Sequence, residues 1–154
     1  EAGTGQNGGI GNDALLFSWN GLEPGLQAAR EGYEVVMCPA QHVYFDMAHT
    51  SEVHESGVSW AAFISLEDAL EWEPVPVDEP ELEQRVIGIQ GELWSETIIK
   101  DRDMESMLAP RILALSEGAW STPSRKRKLI EFMGAARYFK KIFAQLNWEC
   151  HELV

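Results

Sequence analysis

The apolar positions of this chain form short runs in its first two thirds and helical stripes in its last third. Residues 14–19 are an apolar run bounded by Asp13 and the turn pair Asn20-Gly21, and their length and aromatic content predict a buried strand. Residues 24–31 predict one or two helical turns, with Leu22, Leu26 and Ala29 on one side and Gly32 as a C-terminal cap. Residues 34–38 predict a second strand, stopped by Pro39. Strand, helix and strand with short connections are the signature of a parallel βαβ unit. Between residues 48 and 84 the pattern loosens; Pro74, Pro76 and Pro80 break any long element, leaving a short helix around residues 66–70 inside a long excursion. Residues 86–93 predict a third strand, with Gly88 and Gly91 allowing close backbone approach.

The remainder reads as helix. Asp103 is placed to cap a helix in which Leu108, Ile112, Leu115 and Ala119 share a face and Pro110 lies in the first turns. After Thr122-Pro123, the positions Leu129, Phe132, Ala136, Phe139, Phe143 and Leu146 predict a second helix with its stripe in the core. The cations of residues 125–128 sit where the helix dipole disfavours them, so they are expected to form a solvated patch. The first 13 residues are glycine-rich without periodicity and predict a flexible lead segment ahead of one unit, residues 14–154.

Composition narrows the class. A hydrophobic fraction of 45% and an aromatic fraction of 10% in 154 residues are those of a globular domain. The formal charge of -13 argues against nucleic acid or anionic membranes as partners, and no apolar run approaches the roughly 18 residues of a membrane helix. Cys38 and Cys150 are too few for a disulfide framework, and Cys38, in an apolar run, reads as a buried inert thiol. The chain begins at Glu1 with no signal-peptide pattern, which reads as an excised or processed piece. His42, His49, His54 and His151 lack metal-ligand spacing, so no metal is expected; His42 and His49 lie close enough to Tyr44 and Asp46 to touch a ligand or a neighbouring loop. Gly3, Gly5 and Gly8 spell a G-x-G-x-x-G without the strand and helix that dinucleotide binding needs, so no cofactor is expected. Trp60, Trp72 and Trp148 read as packing residues.

The chemistry lies at the three predicted strand ends. The first ends in Phe17-Ser18-Trp19, the second runs through Cys38-Pro39 into Tyr44-Phe45-Asp46, and the third ends in Leu93-Trp94-Ser95-Glu96. In a parallel α/β barrel the C-terminal strand ends converge on one mouth, where active sites sit. Aromatic faces with carboxylates there suit a sugar, whose C–H groups stack on indole while its hydroxyls donate to carboxylates. The competing reading, that the aromatics plug a core and Asp46 and Glu96 lie on ordinary loops, is left level with it by composition alone.

In order along the chain, Trp19, Val35-Val36-Met37-Cys38-Pro39, Tyr44-Phe45-Asp46, Glu73-Pro74-Val75-Pro76, residues 88–96 (GIQGELWSE), Pro110-Arg111, residues 113–117 (LALSE) and Trp120-Ser121 resemble the sixth to eighth strands, and the following helix, of family 20 glycoside hydrolases. The resemblance implies an α/β fold, part of a (β/α)8 TIM barrel comprising about its last three strands and their helices. It implies an exo-β-N-acetylhexosaminidase as parent protein, removing terminal N-acetylhexosamine from a glycan by substrate-assisted retaining catalysis, an exception among retaining glycosidases. Tyr44 would hydrogen-bond the acetamido oxygen that attacks the anomeric carbon, fixing its approach. Trp19 would wall the acetamido pocket, Trp94 would stack beneath the ring, and Asp46 and Glu96 would bind hydroxyls at the distal edge. Arg111 and Glu117 look structural. The family's Asp-Glu acid pair, in an H-x-G-G-D-E-like segment of the fourth strand, has no counterpart here, so the chain alone is expected to be inactive. It is expected to pair with a missing N-terminal barrel half or to self-associate through its strand edges. A non-catalytic carbohydrate-binding or partner-binding fragment is the alternative. Family members are often secreted, periplasmic or lysosomal.

Overall fold

The computed structural model describes residues 11, 13–122 and 126–153; the Gly3-Gly5-Gly8 pattern, Arg125 and most of the lead segment lie outside them. Three strands, β1 (Leu15–Ser18), β2 (Glu34–Met37) and β3 (Val86–Ile89), form one parallel sheet in the order β1-β2-β3. Between the first two runs helix α1 (Glu23–Arg30), giving the βαβ unit that the alternating runs predict. Leu16 lies opposite Val35 and Ser18 opposite Met37, and this face is covered by α1, whose Gly25 abuts Ser18 and Met37. Strand side chains alternate faces, so Leu15 and Phe17 point the other way; they are 43% and 49% exposed. A bulge between Val35 and Val36 sets Ile87 out of register at the outer edge, 51% exposed. The sheet is therefore covered on one side and partly bare on the other.

The excursion between β2 and β3 is well anchored. It holds the single turn α2 (Ala40–Val43), the short helix α3 (Leu66–Leu70) and a 3-10 turn at Pro80–Gln84. Helix α3 starts with a capping box: the Ser65 hydroxyl accepts from the Asp68 N–H at 3.1 Å, and the Asp68 carboxylate accepts from the Ser65 N–H at 2.9 Å. Trp72, Val75 and Leu82 join Val35, Met37 and Cys38 in a core beneath the sheet.

The predicted helix through Pro110 is two helices, α4 (Asp101–Leu108) and α5 (Arg111–Trp120). Pro110 has no N–H to continue the ladder, and it stands between them rather than in the first turns of one. Asp103 does serve the start of α4, accepting from the Lys100 and Ile99 N–H groups at 2.9 and 3.1 Å. Helix α6 (Leu129–Gln145) buries Phe132, Met133 and Ala136, but Phe139 and Leu146 are exposed, so only its first half is a core seam. The expected solvated patch before α6 holds at Arg127 and Lys128, which are exposed, and is corrected at Lys126. The Lys126 side chain is buried, donating to the Trp72 carbonyl at 2.6 Å and the Glu73 carboxylate at 3.1 Å, and Arg127 pairs with Glu117 at 2.7 Å. Beyond α6 the chain reverses at Asn147, stacks Trp148 on Phe143, and runs back across α4, where the Glu149 N–H donates to the Glu105 carboxylate and the His151 N–H to the Ala109 carbonyl. No described helix is long and apolar enough to cross a membrane.

Candidate functional site

Parallel pairing carries the chain past the named strands and brings their ends together. The Cys38 N–H donates to the Ser18 carbonyl at 2.9 Å and the Ala40 N–H to the Trp19 carbonyl at 2.8 Å, so β1 and β2 stay paired up to Trp19. After α2 the chain returns to the third strand: Tyr44 forms a parallel bridge with Glu92, with the Phe45 N–H donating to the Glu92 carbonyl at 2.7 Å. Gly91 permits this approach, because a Cβ there would lie 2.8 Å from both Phe45 Cε2 and Leu115 Cδ2. A Cβ on Gly88 would meet nothing within 4 Å, so of these two glycines only Gly91 permits a close approach.

The five predicted site residues gather at one end of the sheet, Glu96 by its charge and the other four through neighbouring side chains. The Trp94 side chain neighbours the Tyr44 phenol, and the Asp46 carboxyl lies near the backbone N–H groups of Trp94 and of Asp46 itself. Glu96 lies near enough to act on Asp46 by charge. Trp19 joins through a residue that sequence reasoning assigned to packing. Trp60 is half exposed, with its ring edge-on to Trp19 at 6.4 Å and to Tyr44 at 5.9 Å between centroids. Nothing in the spacing signals this. The loop bearing Trp60 is tied by long-range backbone bonds, Val58 N–H to Asp46 carbonyl at 2.9 Å and Ala48 N–H to Val58 carbonyl at 2.8 Å. Gly57 makes that tie possible: its φ is 125°, and a Cβ would lie 2.7 Å from both Ala48 N and the Asp46 carbonyl. Trp72 and Trp148 are packing residues, stacked on His42 and Phe143.

Burial tunes the polar groups of this mouth. It pushes the Tyr44 phenol up to about 12, with Cys38 and Glu92 adding to the effect, so Tyr44 keeps its proton and acts as a donor at neutral pH. Asp46 is 2% exposed; burial raises its carboxyl above the ordinary range and Glu96 adds to this, while the facing N–H groups and Arg111 oppose them. Its Oδ1 and the hydroxyl oxygen of Thr97 are buried without a hydrogen-bond partner. Trp94 is 52% exposed and Glu96 is exposed, so the mouth offers an open aromatic face beside acceptors. Cys38 is buried, and burial lifts its thiol to about 11, as an inert thiol requires.

The histidines near the mouth face neighbouring elements. His42 Nδ1 lies 2.9 Å from the Asp68 carbonyl, and buried His49 stacks on His151 at 3.6 Å. Among the described residues no cluster of three or more His, Cys, Asp or Glu is arranged for a metal ion. Arg111 is completely buried and makes five hydrogen bonds to four backbone carbonyls, those of Phe45, Met47, Ile64 and Met107.

Known proteins resemble this chain in sequence and in fold. The chain is 35% identical over 116 residues to a beta-hexosaminidase of Vibrio furnissii, covering 73% of this chain and 19% of that protein. It is 34% identical over 131 residues to a beta-N-acetylhexosaminidase of Cellulomonas fimi, covering 83% of this chain and 25% of that protein. The chain thus spans about a fifth to a quarter of the length of these two relatives. Among solved structures, the exo beta-N-acetylglucosaminidase of Vibrio harveyi bound to N-acetylglucosamine superposes with a TM-score of 0.85 at 31% identity, over 94% of this chain and 23% of that one. An inactive mutant of that enzyme gives 0.89 at 30% identity, over 98% and 24%. The catalytic domain of glycosyl hydrolase family 20 matches residues 2–123, and the chain belongs to that family.

Proposed function

We propose that this chain is the substrate-binding part of an exo-β-N-acetylhexosaminidase: the last three strands of a TIM barrel, acting on terminal N-acetylhexosamine by substrate-assisted retaining catalysis. The observation that carries the reading is that Trp60 packs edge-on to both Trp19 and Tyr44, with Trp94, Asp46 and Glu96 close by at the same end of the sheet. The relatives are β-hexosaminidases, and the similar Vibrio harveyi structure holds N-acetylglucosamine.

Each group has a task that its surroundings suit. Tyr44, held protonated by burial, donates to the acetamido oxygen and fixes that oxygen for attack on the anomeric carbon. Trp19 and Trp60 wall the methyl side, and the exposed Trp94 ring stacks beneath the sugar. Asp46, with an unpartnered buried oxygen, and Glu96 accept from hydroxyls at the distal edge, which excludes longer chains there. The acid that protonates the leaving oxygen and the aspartate that steadies the acetamido nitrogen belong to barrel strands outside this sequence, so the chain alone does not turn over. The bare side of the sheet, with Leu15 and Phe17, fits a partner that supplies the rest of the barrel, and the free edges of β1 and β3 fit further strands.

Titration calorimetry of the chain with N-acetylglucosamine tests the site. Saturable binding that Trp94→Ala weakens about tenfold or more is expected, a ring–sugar stack being worth on the order of 1–2 kcal/mol. Equal heats for both proteins would remove Trp94 from the site. Hydrolysis of an aryl N-acetyl-β-glucosaminide by the purified chain alone would overturn the division of labour.

A further inference from the structure

The segment after α6 lies beyond the residues that match the family domain, yet it reaches the loop that carries Trp60. Trp60 sits in a bow, residues 58–64, whose two ends are fastened to one residue. The Ala48 N–H donates to the Val58 carbonyl at 2.8 Å, and the Ile64 N–H donates to the Ala48 carbonyl at 2.9 Å. That Ala48 carbonyl and the His49 N–H belong to one planar peptide group, so the setting of His49 fixes the plane to which the far end of the bow is tied. His49 is 6% exposed, and the His151 ring from the returning segment lies flat on it, with 3.6 Å between centroids and 6° between planes. The same ring puts Nε2 3.1 Å from the Glu55 carboxylate, in the stretch between the two legs of the loop. Two bonds at Glu55 run within the loop: the Thr50 hydroxyl donates to its carboxylate at 3.4 Å, and its N–H donates to the Glu52 carbonyl at 3.0 Å. His151 brings an anchor from outside. Its own N–H donates to the Ala109 carbonyl at 3.0 Å, and the Glu149 N–H donates to the Glu105 carboxylate at 2.9 Å, so the ring stands on a fixed backbone.

We propose that His151 is a positioning residue for Trp60: one ring grips the loop at His49 and at Glu55, and so sets the wall that Trp60 forms beside Trp19 and Tyr44. The inference rests on the sugar-site reading for its use but not for the local part of its test. Trp60 is 61% exposed, so burial of its own ring does little to fix it. A side chain with so much of its surface in solvent keeps one setting only where the backbone beneath it is held. Val58 and Ile64 supply that hold from the sides, and His151 supplies it from behind. A wall ordered before the ligand arrives spares binding the cost of ordering it, which is how a residue that touches no sugar acts on affinity.

The test is amide hydrogen exchange, read by nuclear magnetic resonance on the full 154-residue chain, with calorimetry of N-acetylglucosamine beside it. In His151→Ala the Val58 and Ile64 amides should exchange about tenfold faster or more, while the Cys38 and Gln90 amides, bonded at the strand ends, keep their rates. Affinity for the sugar should fall about fivefold. His151→Gln, whose side-chain nitrogen reaches as far as Nε2 and whose flat amide can lie on His49, should restore most of both. Unchanged exchange at Val58 and Ile64 overturns the proposal, and so does faster exchange shared equally by Cys38 and Gln90. An unchanged affinity in a folded His151→Ala whose loop amides do speed up also overturns it, since the grip would then not reach the wall. Glu55→Ala, which leaves the ring stack in place, serves if His151→Ala does not fold: the same two amides should speed up about threefold or more, and unmoved rates count against the grip. If the loop responds as described and the unmodified chain binds no sugar, the sugar-site reading falls while the hold of His151 on the loop stands.

Discussion

The mouth at the strand ends and the buttress behind it, built from α5, the loop after Asp46 and the returning C-terminal segment, are both polar regions lodged in apolar surroundings. They differ in how completely their polar groups are used. Behind, Arg111 has all its bonds, His49 Nε2 lies 3.2 Å from the Ser106 carbonyl, and His151 has the Glu55 carboxylate at 3.1 Å on Nε2 and the Glu152 carbonyl at 3.1 Å on Nδ1. In front, Asp46 Oδ1 and Thr97 Oγ1 are buried and unpartnered, and Trp60 and Trp94 keep much of their faces in solvent. A saturated polar group rigidifies a fold. One left wanting is held ready for something else, because the desolvation cost has been met and the bond has not been made. The buttress should thus govern stability and the mouth should govern binding.

The largest effect that would break this division is at the buttress. Arg111→Met removes five bonds and leaves the Phe45, Met47 and Ile64 carbonyls buried without that partner. We expect a loss of about 3–5 kcal/mol in urea unfolding, the scale for breaking a buried charged network. A loss below about 1 kcal/mol, within the range of ordinary surface substitutions, would mean that those carbonyls find other donors.

His49 carries the next effect, and it depends on pH. Burial first, then the charges of Arg111 and His151, lower His49 from 6.5 to about 2. Its folded value lies below its unfolded value, so between about pH 6.5 and 2 the unfolded chain takes up a proton that the folded chain refuses. Stability from this group is complete above pH 6.5 and drains away as pH falls, by about 2 kcal/mol at pH 5. His49→Gln, which keeps an N–H for the Ser106 carbonyl, should flatten the acid limb of a stability–pH curve by that amount. An unchanged limb would place the acid sensitivity elsewhere.

These contrasts also mark what the sequence could and could not disclose. The βαβ unit was legible because short apolar runs bounded by Asn20-Gly21 and Pro39 leave few alternatives, and Trp19, Tyr44, Asp46, Trp94 and Glu96 were legible as strand ends within a family pattern. Trp60 was not, because its place depends on a loop folding back through Gly57 onto Asp46 and Ala48, a contact with no local signature. Lys126 read as solvated because the partners that claim it, Glu73 and the Trp72 carbonyl, come from a segment nearby only in three dimensions. The stripe on α6 overstated the core, since periodicity reports which residues share a face and not how far a neighbour extends along it.

The smallest expected change in stability, at Tyr44, is the sharpest test of the mouth. Tyr44→Phe keeps the ring that packs edge-on to Trp60 and removes only the hydroxyl. The neighbouring Trp94 is 52% exposed and water reaches this part of the mouth, so unfolding should shift by no more than about 1 kcal/mol. Binding should separate by ligand. N-acetylglucosamine, whose acetamido oxygen would lose its donor, should bind about tenfold more weakly, whereas glucose, which has no acetamido group, should bind as before. Calorimetry with the two sugars reads that ratio directly. If both weaken together, the hydroxyl is holding the mouth in shape, and Tyr44 belongs with Arg111 on the structural side of the comparison.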